Sequence, residues 1–196
     1  MKVIQQGKDF GTATLTQTVG PDGAKVQESV IVAKGPGNDM TIRQVARYDR
    51  TGRPLTKSVT ANVGERQMSA ITATFDATGG TIRLVREAGN ETKRFPLPKG
   101  MSMADPSEFW FIKSKPKPGT TVRAATLNLM GTGWEATQTT YIGKTQVQIG
   151  NKRVAGHRVR SEGKGRVVEV IVDDRGMPLT ISDSRGLKMV RIGARG

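Results

Sequence analysis

Tyr48-Asp49-Arg50-Thr51-Gly52-Arg53-Pro54-Leu55-Thr56-Lys57-Ser58 is the stretch on which the fold turns. It reads as a hairpin corner: Asp caps a type I turn, Gly takes a left-handed backbone, and Pro enters the next strand where no ladder donor is needed. The same device returns without gaps at Val172 to Ser182, sharing Asp, Gly, Pro, Leu, Thr and Ser. Convergence on one good turn explains the Asp, Gly and Pro but not the shared Leu-Thr. Two related half-meanders are therefore expected.

Strand alternation runs outward from both corners, while helix periodicity is nearly missing. Phe10 to Val19 places Thr12, Thr14, Thr16 and Thr18 against Gly11, Ala13, Leu15 and Gln17. Val26 to Val32, Thr41 to Tyr48, Leu55 to Val63, Met68 to Phe75 and a strand through Ile82 to Val85 follow. The breaks between them are short and rich in Gly, Pro or Asp, which is hairpin spacing. The second half repeats the scheme over 121–129, 133–142, 144–149, 153–161, 166–173, 178–183 and 187–192. The expected fold is all-β: one antiparallel meander of about 11–13 strands in a half-open or closed barrel, because a flat open sheet of that size exposes edges and one apolar face.

Residues 93–119 break the rhythm. Two Pro within Lys93-Arg94-Phe95-Pro96-Leu97-Pro98-Lys99-Gly100 exclude a central strand. Asp105-Pro106-Ser107-Glu108 starts at most one short helix near 105–111. Lys113-Ser114-Lys115-Pro116-Lys117-Pro118-Gly119 then runs extended, each Pro holding its predecessor out of the helical region. A solvated linker has no use for Phe109-Trp110-Phe111. The expectation is thus a single domain over 1–196, with half-meanders 10–97 and 120–193 joined by a crossover at 98–119.

Composition bounds function more than it names it. The chain has 196 residues, 35% of them hydrophobic, and a net charge of +14. The basic excess is six over residues 1–100 and eight over 101–196, so it is spread along the chain. Such a field favours anionic partners, and it equally serves as a solubility charge on strand faces. No run approaches the 18 or so apolar residues of a membrane span. Cysteine is absent, which excludes disulfides and thiol chemistry. The start, Met1-Lys2-Val3-Ile4-Gln5-Gln6, turns polar too early for a signal peptide's apolar core, so the chain is either cytosolic or the product of a removed leader.

No catalytic set assembles. His157 is the sole histidine, so neither a His pair for a metal nor a second histidine for a triad exists. A half-buried strand histidine is the plainer reading of it. The Asp49 and Asp173-Asp174 turns lack the alternate oxygens and closing Glu of a calcium loop. The Gly-rich runs follow hairpin spacing and open no helix, so no nucleotide-binding motif and no cofactor is called. The protein is expected not to be an enzyme.

Two features exceed what strands and turns require. The first is the apolar crossover: Met103, Phe109 and Trp110, with Trp134 and His157 added from the facing strands, form the candidate ligand-binding set. A barrel mouth lined this way either is plugged by these side chains or holds a hydrophobic or lipid-like ligand. The second is basic: Lys113, Lys115 and Lys117 beside the crossover, with Arg158 and Arg160 on one face of a strand, form the candidate anion-binding set. Nucleic-acid readers interleave stacking aromatics with such cations, and this hairpin has none, which ranks nucleic acid behind an anionic envelope surface.

The ordered motifs Tyr48-Asp49-Arg50-x-Gly52-Arg53-Pro54-Leu55, Phe109-Trp110-Phe111 followed by Lys117-Pro118-Gly119, Val147 to Gly156, and Val172-Asp173-Asp174-Arg175-Gly176-Met177-Pro178 resemble a family of exported bacterial β-domains. That family is in turn similar to the lipoprotein-carrier and outer-membrane lipoprotein-sorting superfamily, whose unclosed barrel has a hydrophobic concave face. The resemblance covers most of residues 10–193. It implies a periplasmic or cell-envelope location and a lipid-like or acylated ligand. Two departures stand against it: the carriers close their cavity with helices, for which only 101–111 is available here, and their leader sequence is absent. The expectation is a non-enzymatic binding module for a hydrophobic or acylated ligand. The alternative is a basic envelope adaptor or structural domain on anionic polymer or membrane.

Overall fold

The computed structural model describes residues 1–35, 38–86, 89–103, 108–129 and 133–192, with residues 108–110 as backbone only. The first half folds as β1 (Lys2–Gln5), β2 (Lys8–Val19), β3 (Lys25–Ala33), β4 (Met40–Tyr48), β5 (Pro54–Val63), β6 (Arg66–Asp76), β7 (Gly79–Arg86) and β8 (Gly89–Pro96). A short helix, α1 (Glu108–Lys113), precedes β9 (Thr121–Asn128), β10 (Gly133–Ile149), β11 (Lys152–Gly163), β12 (Arg166–Val172), β13 (Pro178–Asp183) and β14 (Leu187–Val190).

Among the described residues, 14 strands form one sheet, in the order β8-β7-β6-β5-β4-β3-β2-β1-β14-β13-β12-β11-β10-β9. The all-β antiparallel meander is as expected, with two corrections to its strands. Two strands are added: β1, which turns back through Gln6 and Gly7 in left-handed conformations, and β8. Segments 133–142 and 144–149 are one strand, because Gly143 carries a bulge at φ 139° that keeps the β10–β11 ladder running. Two strands gained and one lost by this merger turn the expected 11–13 into 14 among the described residues. Of the two expected forms, the open one is found: β8 and β9 are the two edges of the sheet, so the ladder is not closed. The helix runs Glu108–Lys113 rather than 105–111, and residues 104–107 lie outside those described. Pro96 sits at the end of edge strand β8, where a missing donor costs least.

The chain divides into two compact units: 1–13 with 106–124 and 136–196, and 14–105 with 125–135. These differ from the half-meanders 10–97 and 120–193, since β2, β9 and β10 each contribute to both units. In the first unit, ladder registers line up one cross-strand row: Tyr141, Val159, Val170, Ile181, Met189 and Val3. Side chains at paired positions share a face. Helix α1 covers this row with Phe111 and Ile112, and Phe111 meets Tyr141 edge-on at 6.3 Å between ring centres.

In the second unit the corresponding face is Ile71, Ala73 and Phe75 on β6, Gly80, Ile82 and Leu84 on β7, and Lys93 and Phe95 on β8. Leu127 of β9 joins Ile71, Ala73 and Ile82 in the core. Gly80 makes this possible: a Cβ there would lie 2.6 Å from Leu127 Cδ2 and 3.2 Å from Phe75 Cδ1. The same unit buries Lys25 almost completely, opposite Tyr48 in the β3–β4 ladder.

The corner device is reproduced in detail. Asp49 Oδ1 accepts from the N–H groups of Thr51 and Arg53, and Asp173 Oδ1 from those of Arg175 and Met177. Both ladders shift register at the corner, between Arg47 and Tyr48 and between Ile171 and Val172. A third copy stands at Asp183, whose Oδ1 accepts from Arg185 and Leu187 N–H. Arginines from adjoining strands add to the turn carboxylates: Arg94 to Asp76, Arg166 to Asp183 and Arg191 to Asp173. Part of the basic excess is therefore structural.

These turns make stability acid-sensitive. At Asp76, hydrogen bonds from Arg94 and Thr78 hold the carboxyl well below its ordinary value. At Asp183 burial pushes the other way, but hydrogen bonds from Leu187 N–H, Arg166 and Arg185 N–H outweigh it, and the carboxyl is lowered. At Asp49 burial is likewise outweighed by hydrogen bonds from Thr51 and Arg53 N–H. A carboxyl depressed in the folded state binds fewer protons there than in the unfolded chain. Its stabilisation is complete above the unfolded value of about 4 and is lost as pH falls through the folded one. The melting temperature is expected to fall from about pH 4 downward, and Asp183→Asn to flatten that fall. A thermal-melt series against pH checks both.

Candidate functional site

Alternation alone aims the apolar side chains of β6, β7 and β8 at one face, and the packing of β9 does not fill the space above it. A cavity of about 140 Å³ remains, lined by Ile71, Ile82, Leu84, Phe95 and Leu129, with Arg86, Glu91 and Lys93 also on its wall. Register explains the mixture. Ile82 faces Lys93 and Leu84 faces Glu91 across the β7–β8 ladder, so the edge strand carries charge on the face its neighbours keep apolar. Inward charges on an edge strand also discourage edge-to-edge pairing. The Lys93 ammonium stands 5.2 Å from the centre of the Phe95 ring, close enough for cation–π attraction.

Trp134 closes one side of this cluster. Its indole N–H donates to the Phe95 carbonyl at 3.1 Å, and its ring meets Phe75 edge-on at 6.2 Å. The sequence-based choice of Trp134 thus falls on the apolar cluster, where its hydrogen bond holds β10 against β8. Met103, 6% exposed, lines a second cavity of about 330 Å³ with Thr51, Arg53, Ala77, Leu97, Met101 and Ser102. The side chains of Phe109 and Trp110 lie outside the described residues.

His157 stands apart, in the other unit. Its Nδ1 lies 3.0 Å from the Tyr141 hydroxyl and its Nε2 2.9 Å from Asp174 Oδ1. A neutral imidazole protonated at Nε2 fits both contacts, donating to Asp174 and accepting from Tyr141. Burial pushes the Tyr141 phenol up, which keeps it a donor near neutral pH. Sequence reading leaves His157 without partners; the fold supplies two, both non-neighbours in the chain. Neither of the two cavities is lined by it.

The basic set divides. Lys113, Lys115 and Lys117 are exposed, as an anion-binding role requires. Arg158 pairs with Glu169 and Arg160 with Glu162, each at 2.7 Å, which reduces the free positive charge of that strand face. The residues that sequence reasoning did not select are those of the cavity walls: Ile82, Leu84, Phe95, Lys93 and Arg53. Strand parity groups the first four, but only a known ladder register says that they meet. Among the described residues, no helix is long and apolar enough to cross a membrane.

No protein-family model matches the chain, and no curated protein matches it. Its backbone is similar to the beta-barrel-like protein of domain of unknown function DUF1849 from Brucella abortus, with a TM-score of 0.60 and 9% identity over 91% of this chain and 83% of that one. A DUF1089 family protein from Pseudomonas aeruginosa aligns at a TM-score of 0.44 and 12% identity, over 86% and 88% of the two chains. The Brucella likeness, at so low an identity, is one of fold: an all-β, barrel-like sheet.

Proposed function

We propose that this chain is a non-enzymatic binding module for a hydrophobic or acylated ligand, working in the cell envelope. The observation that carries the reading is the partly open cavity of β6–β9, where Ile71, Ile82, Leu84, Phe95 and Leu129 meet Arg86, Lys93 and Glu91. Its size is informative. An enclosed cavity of about 150 Å³ lined only by Leu, Ile and Phe takes up benzene, which sets the size scale. A volume of about 140 Å³ therefore suits the end of an acyl chain or a single ring. Lys93 and Arg86 outnumber Glu91 on the same wall and would favour an anionic group carried on the same ligand. The carrier-like relationship suggested by the turn motifs belongs to this proposal and accords with it.

The test is titration with laurate, read by tryptophan fluorescence and by native mass spectrometry. A saturable signal and a one-to-one adduct are expected. Leu84→Lys, which places a charged chain in the cavity, should weaken binding by about tenfold or more. An apo mass throughout, with no saturable signal into the millimolar range, would sink the reading.

The alternative, a basic adaptor on anionic polymer or membrane, is favoured by the net charge of +14 and the exposed Lys113, Lys115 and Lys117. It predicts retention on heparin that falls steeply with salt.

A further inference from the structure

The outward face of β4–β7 carries charge and hydroxyls in a pattern that only the ladder registers reveal. Ile71, Ala73 and Ile82 point into the core, so their chain neighbours point to solvent. The registers place Arg47, Thr56, Thr74, Thr81 and Arg94 in one outward row, and Val45, Ser58, Thr72, Arg83 and Thr92 in the next. Thr56, Ser58, Thr72 and Thr74 thus form a two-by-two block of hydroxyls. Arg47 stands beside Thr56 at one corner of it, and Arg83 beside Thr72 at the opposite corner.

None of these six side chains makes a hydrogen bond or ion pair with another group among the described residues. The acids of this face are already engaged: Glu28 with Arg43 and Asp76 with Arg94, each at 2.7 Å. Arg47 and Arg83 are exposed and unmatched. In the other unit, by contrast, the outward arginines Arg158 and Arg160 each meet a glutamate. An unmatched pair is therefore not the general rule for this protein's strand faces.

Arg47 and Arg83 lie three strands and two residues apart, which at ordinary sheet spacing is about 16 Å between Cα atoms. Cations so placed suit two charges on one extended molecule better than one small anion. The hydroxyls between them each donate and accept, as sugar hydroxyls do. A guanidinium fork matches the two oxygens of a carboxylate. The two rows hold no aromatic ring on which a base could stack. None of the exposed large hydrophobics falls on them to enter a bilayer.

We propose that this face binds an acidic polysaccharide, with Arg47 and Arg83 each receiving a carboxylate and the hydroxyl block receiving the sugar hydroxyls between. The inference rests on the basic-adaptor reading and moves its contact surface from Lys113, Lys115 and Lys117 to the outward face of β4–β7.

The experiment is biolayer interferometry of the full chain on polygalacturonate, neutral dextran, single-stranded DNA, and vesicles of phosphatidylglycerol and phosphatidylcholine. Polygalacturonate is expected to bind, with an affinity that falls as salt screens the arginines. The other three should bind at least about tenfold more weakly. Arg47→Gln with Arg83→Gln should weaken polygalacturonate binding by about tenfold or more. The melting temperature should not change, because neither side chain has a partner to lose. Lys113→Gln with Lys115→Gln and Lys117→Gln should change the affinity by less than about twofold. DNA or vesicle binding as tight as polygalacturonate would overturn the proposal. So would undiminished binding in the double arginine variant. Loss confined to the triple lysine variant would overturn this face and leave the adaptor reading standing, whereas no binding to any polyanion would sink both.

Discussion

Leu127→Ala is expected to lower the melting temperature by roughly 6–12 °C, the shift that about 3 kcal/mol produces in a chain of this size. Leu127 is 2% exposed and packs on Ile71, Ala73 and Ile82. Deleting its side chain removes the burial term and leaves a void, because the surroundings collapse only in part. The usual way of filling such a void is closed here. Gly80 lies directly under Leu127, and a glycine has no side chain to move in. The substitution also enlarges the space beside the cavity that Ile71 and Ile82 already line. A thermal melt measures the first effect. Titration with an apolar probe measures the second, with tighter uptake of a bulkier ring expected once the void exists.

Gly156→Ala, in the other unit, is expected to cost about 1–3 kcal/mol by overpacking, or roughly 2–12 °C in melting temperature. A Cβ at this position would lie 2.8 Å from Ile171 Cγ2, 2.8 Å from the Val172 carbonyl oxygen and 2.9 Å from Leu179 Cδ1. The two methyl ends can shift, but the carbonyl belongs to the ladder backbone and cannot. A double mutant separates the parts. Leu179→Ala removes one of the three clashes, so the pair Gly156→Ala and Leu179→Ala should destabilise by less than the sum of the singles. Full additivity would show that Leu179 does not press on this glycine. Gly156 lies one residue before His157, so the same variant should disturb the hydrogen bonds from His157 to Tyr141 and Asp174. The His157 ring signals in NMR report that directly.

The charge of +14 acquires a different meaning once the ion pairs are placed. Arg94, Arg166 and Arg191 tie turn carboxylates to adjoining strands, and Arg158 and Arg160 are matched by glutamates. Arg53 acts on the Asp49 carboxylate of its own corner, and its buried Nε has no acceptor among the described residues. Sequence reading placed Arg53 only as a turn residue. The unsatisfied Nε is set by packing around the corner, which no one-dimensional pattern displays.

What the sequence determined by itself is everything settled within a few residues of chain. The Asp-x-x-Gly-x-Pro corners at 49–54 and 173–178 are closed by hydrogen bonds spanning two to four residues, so their geometry follows from composition and order. Strand alternation was legible for the same reason, since side-chain parity is a local property of an extended backbone. The tertiary structure alone decided the rest. It set β1 between β2 and β14, joined 133–149 through a bulge, and left β8 and β9 as open edges. It brought Leu127 onto Gly80 and Trp134 onto Phe95, pairs separated by about 40 residues or more. Such meetings depend on register and on which faces pack, and a slip of one residue would reverse them all. The corners were therefore readable in the chain, whereas the cavities exist only because of how distant strands were brought together.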